Sequence, residues 1–182
     1  MVASLKSEIE QNIPFASVEE EVFLNLLRSA DCLQRAFQRK TRGWGVTTTQ
    51  YNVLRILRGA EPDGLTCASI GRRMIAADPD ITRLLNRLKV LKLIRQRRDR
   101  HDRRVVWTQI SETGLELLRV MDPVVQRTPQ ELFSHMSSEE LSALNRFLEL
   151  ARANNTEIQH EDSQPISPCV QDVTEQQALL HR

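Results

Sequence analysis

Arg83, Asn86 and Arg87 place two guanidinium forks and a carboxamide within five residues. These side chains pair bidentately with guanine O6 and N7 and with adenine N6 and N7 in a DNA major groove, each good pair adding about 1–3 kcal/mol of base discrimination. Thr82 can touch a thymine methyl or a phosphate, and Lys89 adds a cation to the same face. On a lone amphipathic helix such a face reads more simply as solvated surface, so the weight falls on the neighbouring hairpin. Arg98, Arg100, Arg103 and Arg104 crowd into seven residues with only Asp99 and Asp102 to offset them. An arginine in a narrow A/T-rich minor groove meets an enhanced negative potential, and its neighbours can fix register through phosphates. Asp102 then serves as a buttress that accepts from an arginine. His101 reads as a solvent-exposed histidine or as a phosphate contact that strengthens at acid pH. From Gly71 to Arg104 there are twelve Lys and Arg against four Asp, a net of +8 in a chain of net +1, so the remainder sits near −7. That asymmetry is the footprint of a polyanionic partner.

Other chemistry finds no support. The sequence offers no glycine-rich phosphate loop, no nucleophile with a paired acid and base, and no His/Cys cluster at metal-ligand spacing, so neither an enzyme nor a metal or cofactor is expected. Cys32, Cys67 and Cys169 form no CxxC pair, and no apolar run approaches the ~18 residues that span a bilayer. Met1 to Phe15 lacks a signal-like apolar region, which leaves the cytoplasm as the expected compartment.

The basic residues need a scaffold, and the pattern supplies one. Ser17-Val18-Glu19-Glu20 is a capping-box sequence, with Glu20 expected to return to the cap's own N–H. Behind it Val18, Val22, Leu26, Ala30, Leu33 and Phe37 form one stripe over five turns, a length suited to packing against another chain, until Gly43 and Gly45 stop the helix. Thr47 to Gln50 opens a second, mostly buried helix that ends at Gly59 before the Pro62-Asp63-Gly64 turn. Thr66 caps a third helix through Met74. Asp78 as cap with Pro79 at the first helical position predicts a fourth over 79–91, with Ile81, Leu84, Leu85, Leu88 and Leu91 on its core face. Two strands, 94–98 and 105–110, enclose the arginine-rich loop as a protruding wing. Ser111 caps a further helix in which Pro123 predicts a kink or break after Asp122, with another break near Pro129. Ser137 to Glu140 opens a last helix carrying Leu141, Leu144, Phe147, Leu148 and Ala151. Beyond Asn154 the low apolar content predicts a flexible tail with, at most, a short helix near 175–180.

The run Asp102-Arg103-Arg104-Val105-Val106-Trp107-Thr108-Gln109-Ile110-Ser111-Glu112-Thr113-Gly114 resembles the wing signature of the MarR family of winged-helix regulators, and Ile81-Thr82-Arg83-Leu84 with Leu88 resembles its recognition helix. The resemblance spans about Val18 to Asn154. It implies a mainly α fold with a small β-hairpin wing, in which a winged helix-turn-helix head at 47–111 is joined to dimerisation helices at 17–43 and 112–155. An arm at 1–16 and the tail at 156–182 lie outside that plan. It further implies a homodimer on a pseudo-palindromic double-stranded operator, with Arg104 as the minor-groove arginine and Asp102 as the residue that stabilises the wing. Repression relieved by a small aromatic or phenolic effector is implied by the same resemblance, and Phe37, Trp44 and Tyr51 are the aromatic candidates for its pocket. The chain departs from the family at Lys92, which occupies a place where the family usually has a glycine suited to a left-handed helix end, so the helix is expected to end differently. Two alternatives stay open: an oxidant sensor using Cys32 or, near a helix N-terminus, Cys67, and a winged helix that binds another protein.

Overall fold

In the computed structural model, which describes residues 3–153, the chain forms two compact units that divide between Phe133 and Ser134. The first unit begins with a short helix α1 (Leu5–Glu8) and the long α2 (Val18–Thr41). The Ser17 hydroxyl accepts the Glu20 N–H, but Glu20 reaches past the cap and takes the N–H of Ala16, so the expected box closes one residue further out. Helix α3 (Thr48–Arg58) carries the complete reciprocal box between Thr47 and Gln50 and buries Tyr51, Val53, Leu54 and Leu57. Burying four such side chains is worth several kcal/mol at about 25 cal/mol per Å², which fixes α3 as the centre of the core.

Helix α4 (Cys67–Arg73) and helix α5 (Ile81–Val90) come next. The start of α5 corrects the sequence expectation. Asp80 is the cap, its Oδ1 accepting the Arg83 N–H at 2.9 Å, while Asp78 accepts the Asp80 N–H at 2.9 Å and leaves Pro79 outside the helix. Two aspartates two residues apart compete for one helix end, and the one nearer the apolar run takes it. The sheet also contains a strand that the sequence pattern does not announce. The two-residue β1 (Leu65–Thr66) pairs with β3 (Val106–Ile110), whose other edge pairs antiparallel with β2 (Ile94–Arg98), giving the order β1-β3-β2. A two-residue strand carries too little alternation to register as a pattern. Gly64, at φ +80°, leads into it so close to β3 that a Cβ would sit 2.5 Å from the Thr108 carbonyl oxygen.

The link from α5 to β2 decides how the head is held. Lys92 adopts φ +59°, so the left-handed end is present without glycine. The Lys92 N–H donates to the Lys89 carbonyl at 2.9 Å and the Leu93 N–H to the Leu88 carbonyl at 3.0 Å, the two bonds of a Schellman motif. Ser111 ties this turn to helix α6 (Glu112–Leu132): its hydroxyl donates to the Lys92 carbonyl at 2.7 Å and accepts the Gly114 N–H at 3.1 Å, and its own N–H donates to the Leu93 carbonyl at 3.0 Å. A Cβ on Gly114 would collide with that same Leu93 carbonyl, which is why glycine stands there.

Neither proline breaks α6, which runs unbroken through Pro123 and Pro129. Proline in a helix interior costs about 3 kcal/mol, and the side chains on either side offset it: Leu118 and Met121 before Pro123 and Val125 after it are buried at helical spacing in one core with Leu54, Leu57, Ile70 and Leu88. The second unit presents helix α7 (Ser138–Ala153), opened by a reciprocal Ser137–Glu140 box and burying none of its residues. The expected tail and Cys169 lie outside the described residues.

A left-handed lysine is strained by about 1–2 kcal/mol, and glycine's larger unfolded-state entropy returns part of any gain. Lys92→Gly is therefore expected to raise stability by about 0.5–1 kcal/mol, read as a higher urea midpoint at unchanged slope and fixed protein concentration. A lower midpoint would mean that the Lys92 side chain itself holds the turn.

Candidate nucleic-acid interface

The α5 face that points away from the core exposes Thr82, Arg83, Asn86, Arg87 and Lys89, while Leu84, Leu85 and Leu88 are buried. Two clefts run along this face and meet at Asn86. One, of about 430 Å³, brings Arg83, Asn86 and Arg87 together with Gln50 from α3. The other, of about 550 Å³, sets Thr82 and Asn86 opposite Gln96 of β2 and Arg104 of the wing, with Cys67 on its wall. Lys89 lines neither cleft and stands on the exposed side of the helix. Arg98 ends β2 opposite Val106, and Arg100, Arg103 and Arg104 are exposed in the hairpin loop. Among the described residues none of Arg83, Arg87, Arg98, Arg100, Arg103 or Arg104 has a carboxylate within 4.0 Å. The arrangement is an exposed cationic ridge and an adjoining cationic finger whose arginines have no carboxylate partner among the described residues.

The hairpin is braced by a residue that its sequence motif does not single out. Asp99 accepts the His101 N–H at 2.8 Å, the Asp102 N–H at 3.1 Å and the Trp107 indole N–H at 2.9 Å, while its own N–H donates to the Val105 carbonyl. The Asp102 N–H, the Trp107 indole and the His101 N–H hold the Asp99 carboxyl down at about 2. The Arg97 guanidinium lies over the Trp107 ring at 5.8 Å, covering the other side of the brace. Asp102 does not accept from an arginine side chain, as the sequence suggested; its Oδ1 accepts the backbone N–H of Arg104 at 2.9 Å. A short acidic side chain two residues ahead satisfies a backbone donor more readily than it orders a long, solvated guanidinium. Asp99 comes within reach of Trp107 because its N–H bonds the Val105 carbonyl just past the ends of β2 and β3, a pairing that no local motif announces.

A third cleft, of about 430 Å³, lies between α3 and α6 and contains Phe37, Tyr51, Arg55, Arg58 and Asp122. Of the three aromatic candidates it gathers Phe37 and Tyr51; Trp44 is not on its wall and packs half-buried against the core. The Tyr51 hydroxyl donates to Asp122 Oδ1 at 3.2 Å, and Arg58 forks onto the same carboxylate at 2.5 and 3.4 Å. Burial, then the Asp122 charge, pushes the Tyr51 phenol above its usual value, so it stays a donor. Cys32 is exposed and Cys67 half-buried. Among the described residues no group of three His, Cys, Asp or Glu could hold a metal ion, and no helix is long and apolar enough to cross a membrane.

Residues 44–105 match a family model described as the MarR family. Among solved structures, a MarR transcription factor from Planctomyces limnophilus is 33% identical, the alignment covering 75% of this chain and 99% of that one at a TM-score of 0.58. The HTH-type transcriptional regulator MhqR of Bacillus subtilis (strain 168) is 26% identical over 136 residues, 74% of this chain and 91% of that protein. Bordetella bronchiseptica BpsR, whose structure is described as a mechanism for regulation of DNA binding by 6-hydroxynicotinic acid, shares the fold at 23% identity and a TM-score of 0.65, over 72% of this chain and 98% of that one.

The depressed Asp99 carboxyl sets a pH expectation. Its bonds are fully present above the unfolded value of about 3.8 and are lost as pH falls through about 2. The Trp107 indole N–H resonance should therefore keep its hydrogen-bonded shift from pH 8 to pH 4, and Asp99→Ala should move it at every pH. A Trp107 signal that titrates near neutrality would contradict the brace.

Proposed function

This chain belongs to the MarR family of DNA-binding, winged helix-turn-helix transcription regulators, and on that footing we propose that it is a homodimeric repressor released by a small aromatic or phenolic acid. The observation that carries the reading is the pair of clefts meeting at Asn86, which puts Arg83, Asn86 and Arg87 of α5 and the Arg104 finger on one cationic surface. In the proposed complex α5 enters the major groove with Arg83, Asn86 and Arg87 on base edges and Thr82 and Lys89 on its margins. Arg104 enters the flanking minor groove, and Arg98, Arg100 and Arg103 take phosphates. Asp102 and Asp99 keep the finger in shape.

Dimerisation is supported by apolar surface that the single chain leaves in water. On α2, Val18, Val22, Phe23 and Leu27 are all more than half exposed, and α7 exposes Phe147 and Leu150. Two heads held by such helices would meet successive half-sites one turn apart on a pseudo-palindrome. The effector belongs in the cleft of Phe37, Tyr51 and Asp122. Tyr51 and Arg58 sit on α3 within the head and Asp122 on α6, so an acid that draws Arg58 away from Asp122 would move one element against the other.

Two substitutions separate base reading from phosphate binding. Arg83→Ala should relax preference at one base step and cost about 1–3 kcal/mol on the preferred duplex. Arg98→Ala should weaken all duplexes alike and lower the salt slope by about 0.9. Anisotropy titrations at several salt concentrations distinguish them, and equal losses on every sequence for both variants would defeat the assignment. A chain ending at Met136 is expected to sediment as a monomer or fail to fold; a tight-binding dimer from it would remove α7 from the dimer contact.

A further inference from the structure

A cavity of about 580 Å³ lies at none of these places. It lies where the end of α2 meets the start of α3, and it shares only Thr48 with the cleft of Tyr51. Arg35, Arg39 and Arg42 project into its wall from one face of the helix end, and Thr47 and Thr48 close it from the α3 side. Arg35 is held by Asp31 at 2.6 Å, and the neighbouring Lys40 by Glu131 at 3.0 Å. Arg39 and Arg42 are exposed, and among the described residues neither has a carboxylate within 4.0 Å.

The opposite wall is also positive. The Thr47–Gln50 box satisfies the N–H groups of those two residues, which leaves the Thr48 and Thr49 N–H groups of the first turn without a protein acceptor among the described residues. The amino end of an eleven-residue helix therefore faces two unpaired guanidiniums. The Thr48 hydroxyl oxygen is shut off from solvent and is the side-chain polar atom that the described structure leaves buried with no hydrogen-bond partner. Cations in the last turn of α2 are favoured by that helix's own dipole, but this gives no reason to converge them on the positive end of a second helix. An oxyanion supplies one.

Its source is indicated by the residues beside the cavity. Gln50, one residue past Thr49, borders Arg83, Asn86 and Arg87 on the outward face of α5. A helix lying in a major groove about 12 Å wide is flanked by phosphates, so a helix end packed beside that face stands at the backbone. Resting on the DNA-reading assignment above, we propose that this cavity grips a backbone phosphate of the bound duplex through Arg39, Arg42 and the amino end of α3. The footprint then extends beyond α5 and the wing, and this grip carries register rather than sequence information.

The test uses the full chain and the double variant Arg39→Gln with Arg42→Gln, which keeps the aliphatic stems, after thermal melting has shown both proteins folded. The probes are a duplex enriched from a random pool by the wild-type protein and a nonspecific duplex, each titrated across salt. The variant should lower the salt slope on both by about 0.9 for each phosphate it no longer neutralises. A single neutral methylphosphonate flanking the α5 site should weaken the wild type about tenfold and leave the variant unaffected. An unchanged slope, with methylphosphonates costing both proteins alike, would overturn the proposal. So would a melting-temperature rise with inorganic phosphate alone, seen in the wild type and absent in the variant, alongside an unchanged slope: the cavity would then hold a free oxyanion. Because the nonspecific duplex reports the slope by itself, a pool that yields no preferred sequence would count against the operator reading and not against the phosphate grip.

Discussion

Everything the head presents depends on one turn of backbone, in which Lys92 stands left-handed between α5 and β2. The carbonyls of Lys92 and Leu93 are both taken by Ser111 at the entrance to α6, so α5, the sheet that carries the wing, and the long helix behind them share a single hydrogen-bonded corner. A shift of the backbone there would alter the angle between Asn86 and Arg104, the two sides of the cleft that faces outward. Gly114 belongs to the same corner, since only a residue without a Cβ lets α6 approach the Leu93 carbonyl. The signature run from Asp102 to Gly114 is thus a mechanical unit: its first half shapes the finger and its second half anchors it.

Charge is distributed on the opposite logic. The backbone corner is closed by its own hydrogen bonds, whereas the arginines of α5 and the hairpin have no carboxylate partner among the described residues. Asp99, the carboxylate that makes the most bonds in the hairpin, is turned inward onto backbone and indole donors. A carboxylate used in this way stiffens the loop without pairing with its arginines. The field that remains points outward, where a polyanion gains from it and salt screens it.

Much of this was legible in the sequence because local chemistry sets helix starts. The Thr47–Gln50 and Ser137–Glu140 boxes form as read, and the apolar spacing of Leu84, Leu85 and Leu88 fixes which face of α5 turns outward. The features that failed to read through were settled by tertiary contact or, at the start of α5, by two neighbouring aspartates competing for one helix end. Pro123 and Pro129 look like breaks until Met121 and Val125 are seen buried around them; Asp78 looks like the cap until Asp80 competes; Lys92 looks unsuited to a turn that Ser111 enforces. In the candidate interface, residue types pointed to the arginines, but the brace depended on how the two strands pair, which adds Asp99 to Asp102. The Asp122 fork onto Tyr51 and Arg58 links residues 64 and 71 positions apart, a distance that no motif spans.

The central claim is that α5 and the Arg104 finger read DNA sequence together. Its most direct test is fluorescence anisotropy with duplexes tiled across the region upstream of the protein's own gene, for the wild type and for Arg104→Ala, at two salt concentrations with excess nonspecific DNA. Tight binding to one pseudo-palindromic tile is expected, weakened by the substitution and retained at the higher salt. Weak binding to every tile, equal in the two proteins and abolished by salt, would contradict it.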